Sequence, residues 1–495
     1  MTVPAANAIY RRETYDNYPA ARAILQVVYE GLLLPFDRAL TVESRHFAKI
    51  LRSPEAAAMI RSLFVSMQDL NKGARRPAGV PPTQLKKVGI LGAGFMGAGI
   101  ASVSAQAGLD VVLIDRDQES ADKGKAGIQK SMTDRVNKGQ IKSTDRDAVL
   151  GRITATPDYG ALKGCDLIVE AVFEDRKVKA DATTKAQAVN PDVIFGSNTS
   201  TLPISSLAET AKDPARFIGI HFFSPVERMM LVEIIVGQKT GDAALATALD
   251  FVRAIRKTPI VVNDTRGFYA NRCVLNYLQE GHLMLLEGIP AAMIENTARM
   301  AGMPVGPLSL NDEVALDLGL KIVKATEADL GPEAIDAGQK KLLEELVEKR
   351  GRLGRKNGKG FYDYPQGGKK TLWPGLAELQ PKKLTREQVE ALDVEELKQR
   401  FLVVMAAEAA RTVEEGVVTD VREADVGSIL GFGFAPYSGG TLSYIDMMGS
   451  KKFVELCQRL EKKYGKRFAP PKLLLDMAKT DDRFYRRFPP GKKAA

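Results

Sequence analysis

An apolar strand, Val88–Leu91, runs directly into Gly92-Ala93-Gly94-Phe95-Met96-Gly97 and then into a helix of small residues. Each glycine answers a different steric demand. Gly92 allows the tight turn, and Gly94 lets the backbone approach a pyrophosphate. Gly97 lets the helix pack close to the strand. The start of that helix, at Phe95 and Met96, presents free N–H groups and the positive end of a dipole. A second apolar strand, Val111–Ile114, ends in Asp115, about 20 residues beyond the loop, where a carboxylate can hold ribose hydroxyls. The same carboxylate repels a 2′-phosphate, so the pattern favours NAD over NADP. Arg116 beside it weakens that preference slightly. A chain with this order of strand, loop, helix, strand and acid is expected to build a dinucleotide-binding α/β sheet.

Composition narrows the partners. The 495 residues carry a net charge of +9, with Lys and Arg dispersed and one Trp. Nucleic acid recognition would need clustered basic residues interleaved with aromatics. Small anionic ligands fit better. Cys165, Cys273 and Cys457 are widely spaced, in no metal-ligand pattern, and read as reduced thiols. No apolar run is long enough to span a membrane, and the N-terminus lacks the apolar core of a signal peptide. A cytoplasmic protein with no catalytic metal is expected.

The organisation changes along the chain. Residues 1–85 read as a short helical N-terminal segment, with apolar residues at helical spacing in Ala20–Leu34 and Ala56–Leu70. The run Arg75-Arg76-Pro77-Ala78-Gly79-Val80-Pro81-Pro82 reads as a linker. Residues 86–264 alternate strands with helices. The strand candidates are Val88–Leu91, Val111–Ile114, Leu167–Glu170, Val193–Gly196, Phe217–Phe223, Leu231–Val236 and Ile260–Val262. This predicts a Rossmann-type doubly wound sheet, with an antiparallel edge where Ser224-Pro225 joins two apolar runs. Residues 265–365 and 398–495 read as two all-α domains, separated by a linker over 366–397. They carry an internal repeat. Leu286-Glu287-Gly288, Gly306 and Asp312 recur as Glu414-Glu415-Gly416, Gly440 and Asp446, with equal spacing from Gly306 to Asp312 and from Gly440 to Asp446. Gly354-Arg355-Lys356-Asn357-Gly358-Lys359-Gly360 resembles a phosphate-binding loop only superficially, since no Ser or Thr follows the lysine.

The chain has three histidines. His46 and His282 lie in helical patterns and read as structural. His221 ends an apolar strand, where ligands gather in open α/β sheets. The following strand contains one carboxylate, Glu233. A turn centred near Glu227 would set His221 and Glu233 opposite each other. The carboxylate would fix one imidazole nitrogen and leave the other free as a general base. Without the glycine loop the pair would read as a buried ion pair holding the sheet together; with it, the acid–base reading is preferred. Ser197-Asn198-Thr199-Ser200 follows another strand and reads either as a helix cap or as polar lining of the same crevice. Asn271 opens the helical region and could reach back to that crevice.

The glycine loop, Ile168-Val169-Glu170-Ala171-Val172-Phe173-Glu174-Asp175-Arg176-Lys177-Val178-Lys179, Ser197–Ser200, His221-Phe222-Phe223-Ser224-Pro225 and Asp264-x-x-Gly267-Phe268 together resemble the L-3-hydroxyacyl-CoA dehydrogenase family. More narrowly, the chain resembles the dehydrogenase half of the multifunctional α-subunits of fatty acid β-oxidation complexes. The resemblance implies NAD-dependent oxidation of L-3-hydroxyacyl-CoA to 3-ketoacyl-CoA. It implies His221 as catalytic base with Glu233 as its partner, and Ser200 and Asn271 against the substrate oxygen or thioester. It places Asp115, Glu174, Lys179 and Asn198 along NAD, and Ser131 and Lys138 at the CoA. It also implies an acyl-CoA substrate and a thiolase subunit or a homodimer as partner. Two residues depart from the family pattern: Ser224 stands where many relatives have Asn, and Arg266 replaces the usual Pro before Gly267. The residues before Lys86 are too few for a hydratase module, so no enoyl-CoA hydration is expected. Two rivals remain at this point. One is a dehydrogenase of free β-hydroxyacids, which would need an Arg for the carboxylate. The other is an idle NAD-binding scaffold, against which the intact His221 and Glu233 argue.

Overall fold

Near-continuous runs of Val, Ile and Leu form the centre of one eight-stranded sheet in the order β3-β2-β1-β4-β5-β6-β7-β8. The strands are β1 (Lys87–Leu91), β2 (Asp110–Ile114), β3 (Ile153–Thr156), β4 (Leu167–Glu170), β5 (Ile194–Ser197), β6 (Phe217–Phe222), β7 (Leu231–Val236) and β8 (Thr258–Asn263). The computed structural model describes residues 3–490. These divide into two compact units, and the sheet belongs to the one built from residues 62–271, 412–432 and the stretch from Phe488.

Strands β3 to β6 run parallel, and the sequence order reverses between β1 and β4, as in a doubly wound sheet. Both faces are covered, so Val88, Ile90, Leu113, Val169, Ile218 and Ile234 are fully buried. The chain then reverses: β7 pairs antiparallel with β6, and β8 pairs parallel with β7. The reversed pair therefore lies one strand inside the sheet, and β8 is the edge. Both strands on this side run against the other six, as the expected antiparallel edge requires. Strand β3 was not expected at all. It reads Ile-Thr-Ala-Thr, with one fully buried position, so it lacks the apolar run that marks the central strands.

The Pro- and Gly-rich run after Gly73 is fastened to the sheet unit despite its linker composition. Arg76 grips Asp250 through Nε to Oδ1 at 2.9 Å and Nη2 to Oδ2 at 3.0 Å. Arg75 Nη1 lies 3.0 Å from Oε2 of the fully buried Glu423. Glu423 Oε1 also accepts the N–H of Val261 in β8 at 2.7 Å.

The second unit comprises residues up to Arg61, 272–411 and 433–487, and is helical. At its N-terminal end the helices Pro19–Gly31 and Pro54–Met59 overlap the expected segments, while Val3–Thr14 and Phe36–Leu51 are additional. Further on, Pro307–Val314 and Leu316–Leu330 form an eight- and a fifteen-residue helix, and Thr441–Met448 and Ser450–Tyr464 form another pair of the same lengths. Each pair is broken by a left-handed residue, Ala315 and Gly449, both at φ 94°. Each ends at a left-handed glycine, Gly331 at φ 90° and Gly465 at φ 100°. Asp312 accepts the N–H groups of Phe361 and Tyr362 at 2.7 and 2.9 Å. Asp446 accepts those of Phe484 and Tyr485 at 2.7 and 3.3 Å. Within 366–397 the chain adds an edge strand (Thr371–Leu372) to a short ribbon and forms the helices Leu376–Leu379 and Arg386–Glu390. No described helix is long and apolar enough to cross a membrane.

Candidate active site

The glycine loop turns as its spacing demands. Gly92 has φ +93°, and a Cβ there would meet the Ala171 carbonyl oxygen at 2.6 Å. A Cβ on Gly97 would collide with the Gly92 carbonyl, so helix Phe95–Gln106 can start this close to β1 only with glycine at that point. At Gly94 the space a Cβ would enter is empty for 4 Å. That clearance, with the N-terminus of the helix behind it, suits a pyrophosphate. Asp115 closes the loop from the end of β2. Its Oδ2 accepts the Ala93 N–H at 2.7 Å and its Oδ1 the Arg116 N–H at 2.7 Å. A dinucleotide therefore fits the residues present: open backbone for the phosphates and a carboxylate at the strand end for the ribose.

His221 and Glu233 are direct partners in the β6–β7 register. Nδ1 of His221 lies 2.8 Å from Oε2 of Glu233, and both side chains are buried. The other carboxylate oxygen accepts the N–H groups of Ala270 at 2.9 Å and Tyr269 at 3.3 Å. These stand at the N-terminus of helix Ala270–Leu286, where a negative charge is favoured by the dipole. The turn that delivers them passes through two left-handed residues, Gly267 at φ 72° and Phe268 at φ 52°. Phe268 is fully buried, and its ring lies 5.9 Å from the imidazole; Phe223 lies 4.7 Å away on another side. With Nδ1 committed to Glu233, Nε2 is the nitrogen available for chemistry.

A polar network joins the carboxyl ends of β4, β5 and β6. Glu174 Oε1 accepts the Thr199 hydroxyl at 2.6 Å and the N–H groups of Ser200 and Thr201 at 3.0 and 3.2 Å. Lys179, 2% exposed, places Nζ 2.8 Å from Glu170 Oε1 and 3.2 Å from Glu174 Oε2. Burial pushes the Glu174 carboxyl up, but Lys179 and the Thr199 and Ser200 hydrogen bonds together hold it below the usual carboxylate range. Ser197 donates to the other Glu170 oxygen at 2.8 Å. Asn198 Oδ1 accepts the Phe222 N–H at 2.7 Å, tying β5 to the strand end that carries His221. Asn271 Nδ2 donates to the Ser200 carbonyl at 2.9 Å.

The structure thus gathers His221, Glu233, Asn198, Ser200, Asn271, Glu174 and Lys179 around these strand ends. Ser131 and Lys138 are not drawn into that network. Both are exposed, seven residues apart on helix Gln118–Asn137 and its C-cap, and so on one helix face. Two contributors were given no role of their own in the sequence: Glu170 and Phe268. Glu170 had a readable signal, a carboxylate ending an otherwise apolar strand. Among the described residues, no cluster of His, Cys, Asp or Glu is placed to hold a metal ion.

Comparison with known proteins decides the family. Residues 87–265 match the family model for the 3-hydroxyacyl-CoA dehydrogenase NAD binding domain, and residues 267–364 match that for its C-terminal domain. The crystal structure of (S)-3-hydroxybutyryl-CoA dehydrogenase from Ralstonia eutropha is 34% identical, with TM-score 0.54, covering 57% of this chain and 100% of that one. The chain belongs to the 3-hydroxyacyl-CoA dehydrogenase family. Its eight-stranded sheet is that family's NAD-binding domain. A curated relative, the fatty acid oxidation complex subunit alpha of Shewanella amazonensis, is 37% identical over 482 residues, covering 96% of this chain. The chain spans 66% of the length of that relative. A 3-hydroxybutyryl-CoA dehydrogenase from Escherichia coli K12 shares the fold at 24% identity, with TM-score 0.68, over 81% of this chain and 99% of that one.

Proposed function

We propose that this member of the family oxidises L-3-hydroxyacyl-CoA to 3-ketoacyl-CoA with NAD, and that His221 is the base. The observation that carries the reading is the 2.8 Å His221–Glu233 contact in a sheet whose first turn is a dinucleotide loop. His221 Nε2 takes the proton of the substrate 3-hydroxyl as C3 becomes trigonal. Glu233 keeps the ring in one tautomer and balances the imidazolium that forms. Its own charge is steadied by the N–H groups of Tyr269 and Ala270. NAD, when bound, supplies the hydride acceptor. Gly92, Gly94, Phe95, Met96 and Gly97 hold its pyrophosphate, Asp115 its ribose, and Glu174, Lys179 and Asn198 line the remainder of its track. Ser200 and Asn271 face the substrate oxygen or thioester. Ser131 and Lys138 meet the CoA, where a flexible ammonium can neutralise phosphate. The setting is fatty acid β-oxidation in the cytoplasm, with a thiolase subunit or a second copy of the chain as partner. Two departures lie close by: Ser224 alters one cofactor contact, and Arg266 precedes the left-handed Gly267–Phe268 turn. The direct test is NADH formation, followed by its absorbance, from the full chain with NAD and a 3-hydroxyacyl-CoA. Absence of NADH with every chain length of substrate contradicts the reading.

The two sets of helices are read as copies of one unit. The matched helix lengths, the left-handed breaks at Ala315 and Gly449, and the Asp312 and Asp446 contacts support this.

A further inference from the structure

The first helical copy carries a half-open cavity of about 150 Å³ beside helix Leu316–Leu330. That is room for a molecule the size of benzene. Its wall includes Ile322, Val323 and Leu343, and no Asp, Glu, Lys or Arg lines it. Neither Nε2 of His282 nor Oδ1 of Asn311, two buried polar atoms at the wall, has a well-formed hydrogen bond, although the Asn311 side chain is near enough to favour a charged imidazole. Each residue is 2% exposed. Gln339 Nε2 lies 3.3 Å from His282 Nδ1, so the amide donates and Nδ1 accepts. The imidazole proton then sits on Nε2. The cavity therefore offers a donor and an acceptor that are at most loosely paired with each other, in a mixed, uncharged wall.

The second copy provides an internal control, and this comparison rests on reading the two sets of helices as related. Counting back from Gly288 and Gly416, His282 corresponds to Ala410. Counting from the paired Asp312 and Asp446, Asn311 corresponds to Ile445. Along the fifteen-residue helices, Gly319 corresponds to Phe453 and Thr326 to Leu460. At the third position of the next helix, Gln339 corresponds to Leu474. All five counterparts are apolar and 0% exposed. The same scaffold surrounds a filled apolar core in one copy and a half-open cavity with polar groups in its wall in the other. The fold itself does not require the cavity. Unsatisfied buried polar atoms are costly, roughly 1–3 kcal/mol each by mutational measure, and an apolar solution is present in the same chain.

We propose that this cavity is a binding site for a small neutral molecule with a hydroxyl or carboxamide head and a short apolar body. The head accepts from His282 Nε2–H and donates to Asn311 Oδ1. The body rests on Ile322, Val323 and Leu343. A charged head is disfavoured because nothing in the wall compensates it. The site shares no residue with the His221 centre and does not depend on the reaction assigned there.

The test is saturation-transfer NMR on the full chain with isobutyramide and isobutanol as probes, and with isobutyrate as the charged control. The wild type is expected to transfer saturation to the methyl groups of at least one neutral probe, and to bind isobutyrate about tenfold more weakly. Gly319→Phe copies the filled core. A Cβ at Gly319 would stand 3.5 Å from Asn311 Nδ2, an ordinary contact, so the larger side chain grows into the cavity. It should weaken neutral-probe binding about tenfold or more. If that variant does not fold, Thr326→Leu carries the same test. No transfer from wild type, equal binding of isobutyrate, or unchanged binding in the folded filling variant overturns the proposal. NADH formation by wild type is measured alongside, so loss of this site and loss of the dehydrogenase reading are told apart.

Discussion

Glu233 divides its two carboxylate oxygens between different tasks: one lies 2.8 Å from Nδ1 of His221, and the other accepts the Ala270 N–H at 2.9 Å. The arrangement couples the base to the start of helix Ala270–Leu286, and that helix also carries Asn271. Orientation of the imidazole and entry of the helix are set by one side chain.

Glu233→Gln keeps the shape and removes the charge that balances an imidazolium. Turnover should fall about tenfold or more, within the range a positioned acid–base group supplies. Affinity for NAD, measured by fluorescence titration, should stay within about twofold, because the glycine loop is untouched. A Glu233→Gln enzyme with wild-type kcat would reduce the carboxylate to a structural tie.

Asp115 gives one oxygen to the Ala93 N–H, which orders the loop, and is the acid placed for the ribose. Asp115→Asn retains an acceptor for that N–H but loses the charge that repels a 2′-phosphate. The ratio of NADP to NAD affinity should rise about tenfold, the worth of one modest charge contact. Isothermal titration with both dinucleotides measures it. An unchanged ratio removes Asp115 from cofactor selection.

Much of this centre was legible because its residues break an apolar pattern. His221 ends one strand and Glu233 interrupts the next, so a single turn position predicts their contact. Asn198 and Asn271 are polar residues at element boundaries, and they too were readable. Strand β3 was not, because Ile153-Thr154-Ala155-Thr156 is a sheet edge with little apolar weight. The contact of Glu423 with Arg75 and Val261 joins segments far apart in sequence, and no local spacing signals it. The turn at Phe268 was hidden for another reason. A left-handed φ at a bulky residue runs against local preference and is held only by its surroundings. His282 read as structural, and nothing in the local sequence signals that its Nε2 would lack a well-formed hydrogen bond.

Burial pushes the His282 imidazole down from 6.5 to about 4, with Asn311 opposing the shift. The unfolded chain therefore takes up a proton below pH 6.5 that the folded chain refuses until about pH 4, and stability from this group is lost as pH falls through that window. Asp312 acts in the opposite sense. Burial raises its carboxyl from 3.8 to about 6, so the folded chain holds that proton first and gains stability as pH falls between those values. The two effects mask each other in wild type. His282→Leu removes one of them. Its melting temperature relative to wild type should rise as pH drops from 6.5 towards 4, by the equivalent of at most about 3 kcal/mol. A pH-independent difference would contradict a neutral buried His282.

Lys138 stands exposed at the C-cap of helix Gln118–Asn137, on the face that carries Ser131. If the CoA phosphates lie there, Lys138→Glu should raise KM for CoA thioesters about tenfold with little change in kcat, the signature of lost uniform binding. Added salt should shrink the difference, since exposed charges are screened beyond about 10 Å at 0.1 M ionic strength. An unchanged KM would place the CoA on another surface.

The most direct measurement of the central claim is single-turnover NADH formation by His221→Ala with saturating NAD and 3-hydroxyacyl-CoA. The account predicts a fall in rate of roughly 10²–10⁴-fold, the usual worth of a positioned general base, with NAD binding retained. A rate close to wild type would contradict it.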